Sequence, residues 1–237
     1  MEVKFYHGER AGETLLLYFA GWGTTAEAVG HLALPEGWDF AAFSDYRDLS
    51  AELPPFEGYR QVFLAAWSMG VWAADKLADR LPKPDRAVAV NGTPPAVHDR
   101  YGIPEEGFRR TLRNLREMNR EQFDRRMAGG RKLLELFRTF HARSTGELEE
   151  ELLAAYDGSA EARRIGEWGD RPRAALPWTQ ALVSERDLIV PPGNQTAFWE
   201  ASGVPVTLLR CAGHYPFRSF ASWAELFDER LERFDLH

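Results

Sequence analysis

Residues 59–67, YRQVFLAAW, are an apolar and aromatic run of strand character, and Ser68-Met69-Gly70 leads from it straight into a helical pattern. A strand that turns into a helix without an intervening loop cannot be half of a hairpin. The helix must carry the chain back over a sheet face, which commits this part of the chain to a parallel crossover. The same rhythm recurs elsewhere. Strands are predicted at 3–7, 14–20, 39–43, 59–67, 86–90, 179–184 and 204–209, with helices at 26–32, 69–81, 195–201 and 219–234. The first two strands read as a hairpin across 8–12. The expected fold is therefore α/β, a mostly parallel central sheet of about seven strands.

Two places break the rhythm. Between 43 and 59 the linker SDYRDLSAELPPFEG leaves room for at most a short helix before Pro54 and Pro55, so one crossover is truncated. Between Asn91 and Thr179 no strand pattern appears. Charged amphipathic helices fill that stretch instead, with Phe108, Leu112, Leu115, Leu133, Leu134 and Phe137 as their buried stripes. The expected organisation is a core of residues 1–94 and 178–237 carrying an inserted helical cap, 95–177.

Composition narrows the function classes. The chain has 237 residues, 44% of them hydrophobic, enough for one large domain. Its longest apolar runs, 15–20 and 62–67, are six residues each, far short of the roughly 20 that a membrane helix needs. Charges interleaved from residue 2 leave no apolar signal core, and the single cysteine, Cys211, gives no internal disulfide. A reducing, cytoplasmic setting is expected, with Cys211 as a small buried residue rather than a nucleophile. The net charge of −7 argues against a general nucleic-acid binder. That mean conceals an asymmetry: residues 100–143 hold twelve Lys/Arg against six Asp/Glu, a +6 island on a chain that is −13 elsewhere.

Ser68 sits where a nucleophile elbow requires it, with the small residues Ala66 and Gly70 two positions to either side, Ala66 replacing the usual glycine. Its plainer role would be a helix cap. A serine hydroxyl needs an imidazole to take its proton and a carboxylate to hold that imidazole's tautomer. Asp187, in SERDLIVPP just past the strand 179–184, and His214, in AGHYPF past the next strand, supply both in chain order. Glu185 is a less well placed substitute, and Asp187 could instead be a loop carboxylate paired with Arg186. His7, His31, His98, His141 and His237 do not follow a late strand. Gly21-Trp22-Gly23 follows the strongest strand, so the Trp22 N–H, with that of Met69 at a helix start, could form an oxyanion hole; otherwise this is a bare glycine turn. The order Ser, Asp, His is that of the α/β-hydrolases.

The motifs FAGWG (19–23), DYR (45–47), AWSMGVWAA (66–74), NGTP (91–94) and GHYPF (213–217) together resemble the BioG branch of the pimeloyl-[acyl-carrier protein] methyl ester esterases. The likeness runs across almost the whole chain and is thinnest in the cap. It implies a serine esterase that removes the methyl group from a pimeloyl chain still on its carrier, releasing methanol in biotin synthesis. Ser68 would be the nucleophile, His214 the general base and then acid, Asp187 the orienting carboxylate, and Trp22 and Met69 the oxyanion donors. No metal or organic cofactor is needed. The implied partner is an acidic acyl-carrier protein, and Arg109, Arg113, Arg116 and Arg120, spaced as one helical stripe, are candidates to dock it. Their alternative is a solvated face pairing with Glu105, Glu106, Glu117 and Glu121. Trp72, Phe137 and Phe140 could line an acyl tunnel, although aromatics at such spacing are more often core. An ester or thioester hydrolase of different acyl preference, or a non-catalytic binding protein of this fold, stays open at this point.

Overall fold

The computed structural model describes residues 1–6, 13–117, 143–164, 168–210 and 212–228. Among them are the strands β1 (Glu2–Tyr6), β2 (Thr14–Phe19), β3 (Trp38–Ser44), β4 (Gln61–Trp67), β5 (Arg86–Val90), β6 (Gln180–Ser184) and β7 (Val206–Leu209). They form one sheet in the order β1-β3-β2-β4-β5-β6-β7. All neighbours are parallel except β1 and β3. The predicted opening hairpin is corrected by this order: β1 pairs antiparallel with β3, Val3 opposite Phe43, and not with β2. The reason lies in burial. Every residue of β2 is buried, as a strand with parallel neighbours on both sides and covered faces must be, and β3 and β4 take those two places. β1, half exposed in alternation and carrying Glu2 and Lys4, suits the edge.

The helices are α1 (Met69–Lys76), α2 (Glu105–Glu117), α3 (Thr145–Arg164), α4 (Pro192–Ala201) and α5 (Trp223–Leu226). Several are shorter than their patterns suggested. The helix expected over 69–81 ends at Lys76 and continues only as a 3-10 turn, Ala78–Arg80. The one expected over 26–32 is the 3-10 turn Ala26–Val29, and that over 219–234 is reduced to α5 after a turn at Phe217–Ser219, as far as residue 228. α4 starts earlier than 195, because Pro192 stands in its first turn where a missing N–H costs nothing. The chain between β3 and β4, where at most a short helix is expected before Pro54 and Pro55, contains none.

Side chains alternate across the pleat, so β2 feeds both layers. Leu15, Leu17 and Phe19 join the core beneath α1 and α4, where Phe19 stacks on Phe43 at 4.2 Å. Leu16, Tyr18 and Ala20 join the opposite core with Trp223 and Leu226 of α5. Between β5 and β6 the described chain contributes α2 and α3 and no named strand. Phe108 is buried, with Leu112 and Leu115 packed on the same core, and Phe108 stacks on Tyr156 of α3. Leu133, Leu134 and Phe137 lie outside the described residues. No described helix is long and apolar enough to cross a membrane.

Register brings the site together. Phe19 pairs with Ala66, Trp67 with Val90, Val90 with Leu182, and Ser184 with Leu209. The loops that follow β2, β4, β5, β6 and β7 therefore emerge side by side at one carboxyl edge, where open parallel sheets form their ligand sites.

Candidate active site

Ser68 joins β4 to α1 with φ 56°, a positive value that a non-glycine residue adopts only when its surroundings impose it. Those surroundings are visible. The Ser68 N–H donates to the Val90 carbonyl at 2.9 Å, which extends the β4–β5 pairing to the turn itself. A Cβ on Gly70 would lie 2.4 Å from the Phe19 carbonyl oxygen, so only glycine lets α1 pack this closely against the end of β2. Ala66 is fully buried, and its extra methyl is accommodated in the core.

The serine does not act as a side-chain cap for α1. Its Oγ lies 2.9 Å from His214 Nε2, and His214 Nδ1 lies 2.8 Å from Asp187 Oδ2. His214 and Asp187 are almost fully buried, whereas Ser68 is partly exposed. The Asp187 carboxylate is itself held. Oδ1 accepts the N–H groups of Ile189 and Val190, and Oδ2 accepts from Gln195 Nε2 at 3.0 Å. Glu185 and Arg186 are exposed, and it is the buried Asp187 carboxylate that reaches the histidine. A hydroxyl, an imidazole and a fixed carboxylate in series can pass the serine proton to His214 as an acyl carbon is attacked, and return it to a leaving alkoxide.

Trp22 and Met69 border the same cavity as Ser68. The Trp22 indole N–H donates to the Leu148 carbonyl of α3 at 2.9 Å, and Gly23 takes φ 70° immediately after it. Met69, at the first position of α1, has an N–H with no partner inside its helix. A helix start and a sharply turned loop on two sides of one serine can stabilise an oxyanion.

Three supporting residues were not assigned roles from sequence. Asn91, φ 48°, donates to Ser184 Oγ and to the His214 carbonyl and accepts the Ser184 N–H, clamping the ends of β5 and β6 to the histidine loop. Its presence in NGTP was the available signal, since asparagine tolerates positive φ. Trp67 donates its indole N–H to the same His214 carbonyl. Gln195 had no signal at all. Of the other histidines, His31 bonds the Phe217 carbonyl and His98 accepts two backbone N–H groups in a turn; His7, His141, His237 and Cys211 lie outside the described residues.

The cavity measures about 350 Å³ and is lined mostly by apolar side chains, among them Ile103, Phe108, Leu152 and Val190. The exposed Glu106 and Arg110 of α2 also border it. Trp72 does not; it lies in the core against Gly158 of α3, and Phe137 and Phe140 are outside the described residues. Of the arginine stripe, Arg109 pairs with Glu105 at 2.8 Å and bonds Tyr156 Oη, and Arg113 pairs with Glu106 at 2.9 Å. Both remain exposed. The Arg116 side chain and Arg120 lie outside the described residues.

Sheet order, elbow and edge loops together are the architecture of the α/β-hydrolases. A lipase-esterase related protein from Clostridium acetobutylicum shares it with a TM-score of 0.61 and 14% identity, over 90% of this chain and 92% of that one. Within that class the chain belongs to the family of pimeloyl-ACP methyl esterase BioG, matched over residues 1–226, and it is a carboxylic ester hydrolase. The crystal structure of BioG from Haemophilus influenzae agrees with a TM-score of 0.83 and 38% identity, covering 96% of this chain and all of that one. A malonyl-[acyl-carrier protein] O-methyltransferase of Bacteroides fragilis is 36% identical over 188 residues, 78% of this chain but only 36% of that longer protein.

Proposed function

We propose that this chain hydrolyses the methyl ester of pimeloyl-[acyl-carrier protein] to the free carrier-bound acid and methanol, a step in cytoplasmic biotin synthesis. The observation that carries the reading is the Ser68–His214–Asp187 relay opening on an apolar cavity in a member of this family. The Bacteroides fragilis relative adds support: a stretch resembling this chain lies within a protein named for placing a methyl group on a carrier-bound acyl chain, and this chain would remove one.

In the mechanism Ser68 Oγ attacks the ester carbonyl while His214 Nε2 takes its proton. Asp187 orients the ring through Nδ1 and stabilises the imidazolium. The tetrahedral oxyanion is held by the N–H groups of Trp22 and Met69. Collapse expels methanol with the proton returned by His214, and water, activated by the same imidazole, then frees the acid from Ser68. Residues 95–177 act as the cap over the acyl chain, with Phe108 and Leu152 against its methylenes. Arg109, Arg113, Arg116 and Arg120 receive the acidic carrier.

The test compares carrier-bound methyl pimelate with its free dimethyl ester. A kcat/KM at least tenfold higher on the carrier supports the reading, and equal turnover of both overturns the carrier assignment while leaving the esterase intact.

A further inference from the structure

In α3 the acids Glu147, Glu149, Glu150 and Glu151 stand almost consecutively, yet Glu151 alone of the four is buried, with no exposed surface. Its carboxylate reaches out of the helix to the loop beside the nucleophile. Oε2 accepts the Gly23 N–H at 3.2 Å, and Oε1 accepts the Tyr46 N–H at 2.9 Å. Arg143 Nη2 donates to Oε2 at 2.9 Å, and its other terminal nitrogen lies 3.1 Å from Asp45. Tyr46 in turn directs its hydroxyl at the carbonyls of Ala20 and Phe43, the ends of β2 and β3. Burial pushes the Glu151 carboxyl up, while Arg143 and the two backbone donors pull it down.

One turn earlier on α3, the Leu148 carbonyl accepts the Trp22 indole N–H at 2.9 Å. The loop after β2 is thus gripped twice by the same helix. Leu148 holds the Trp22 side chain, and Glu151 holds the peptide that follows it. The Gly23 N–H lies in the peptide after Trp22 and the Trp22 N–H in the peptide before it, so holding the first plane and the indole together fixes two substituents of the Trp22 Cα and limits where its amide nitrogen can sit. The next residue of α3, Leu152, lines the cavity, which puts acyl contact and loop support on one helix.

We propose that Glu151 is a positioning residue for ester hydrolysis: through the Gly23 N–H it holds the Trp22 N–H where the oxyanion of the tetrahedral intermediate forms. This rests on the placing of Trp22 in the oxyanion hole. Half of that hole is then set by a helix inserted between β5 and β6, and not by the hydrolase core. Glu151→Gln keeps the size of the side chain but turns one acceptor into a donor and takes the anion away from Arg143.

The experiment measures p-nitrophenyl butyrate hydrolysis and the affinity of an alkyl trifluoromethyl ketone, which Ser68 converts to an oxyanionic adduct, for the parent, Glu151→Gln and Glu151→Asp. We expect kcat to fall about 10- to 100-fold in Glu151→Gln, with KM within about threefold and ketone affinity reduced by the factor lost from kcat/KM. Glu151→Asp should fall between it and the parent. If the glutamine variant does not fold, the aspartate variant, which keeps the charge beside Arg143, carries the test alone. A loss confined to KM, or ketone affinity unchanged in a folded variant, overturns the proposal. The Trp22 amide resonance of the parent separates the two layers of the argument. If it shifts downfield in the ketone adduct, the oxyanion assignment stands and the variants judge Glu151. If it does not move, the assignment fails and takes the proposal with it.

Discussion

At Ser68 the local conformation and the proposed chemistry are one constraint. A positive φ on a serine costs about 1–3 kcal/mol, and the turn persists because the Val90 carbonyl and the close approach of Gly70 to Phe19 leave the chain no alternative. Replacing the hydroxyl does not disturb those supports. Ser68→Ala should therefore lose at least about a thousandfold in kcat while keeping the parental melting temperature, with ester turnover and calorimetry as the checks. Asp187→Asn should cost about 10⁴-fold, because an amide in that place favours the wrong imidazole tautomer. The exposed Glu185 is not positioned to replace it. Loss of less than about tenfold in Asp187→Asn, measured on the same ester, would show that another group orients His214. That these three residues meet was legible because the proposed chemistry demands their types in order at strand ends. Gln195 was not, since nothing around position 195 distinguishes a residue that bonds Asp187 from any polar residue opening a helix.

At the scale of the helix, α2 shows why a charge stripe is ambiguous when read from sequence. Arg109 pairs with Glu105 at four-residue spacing, a contact at the surface that solvent screens and weakens. Arg113 and Glu106 are similarly exposed. Pairs this weak are surrendered readily to a partner with denser negative charge, so the pairing observed and the docking proposed are compatible. Reversing Arg109, Arg113, Arg116 and Arg120 to Glu should lower kcat/KM for the carrier-bound substrate by at least about tenfold and leave a small neutral ester within about twofold. Rising salt should slow the parental carrier reaction as screening shortens the reach of these charges. Kinetics with both substrates at two salt concentrations checks this, and a salt-independent carrier reaction unmoved by the reversal would end the docking role.

At the scale of the whole molecule, the loop after β3 and the segment leading into α3 meet in a cluster of charges. Arg47 grips Asp45 with two bonds of 2.7 Å and also reaches Glu147 and Glu150, while Arg143 bridges Asp45 and Glu151. The Arg47 hydrogen bond, above all, holds the Asp45 carboxyl below its usual range. A depressed carboxyl stabilises the fold above the unfolded value, about 3.9, and that stability is lost as pH falls through the folded value. Asp45→Asn, which keeps the shape and tolerates the positive φ, should unfold at lower denaturant than the parent at pH 7, with the two midpoints converging below about pH 4. Denaturant titrations across that range test it, and a gap unchanged by acid would deny the ion pair its part. The motif DYR was visible in the chain, but its partners were not. Periodicity and strand-to-helix junctions are local properties, and from them the seven strands, the elbow, and the order of Ser68, Asp187 and His214 could be read. Pairing is not local. Whether β1 folds onto β2 or waits for β3 depends on which neighbours best bury an entirely apolar strand, and that is decided only when β3 and β4 are in place. Likewise Glu151 differs from Glu147, Glu149 and Glu150 in nothing but where the packed helix points it, because burial, and the backbone donors that make burial tolerable, exist only in the assembled molecule.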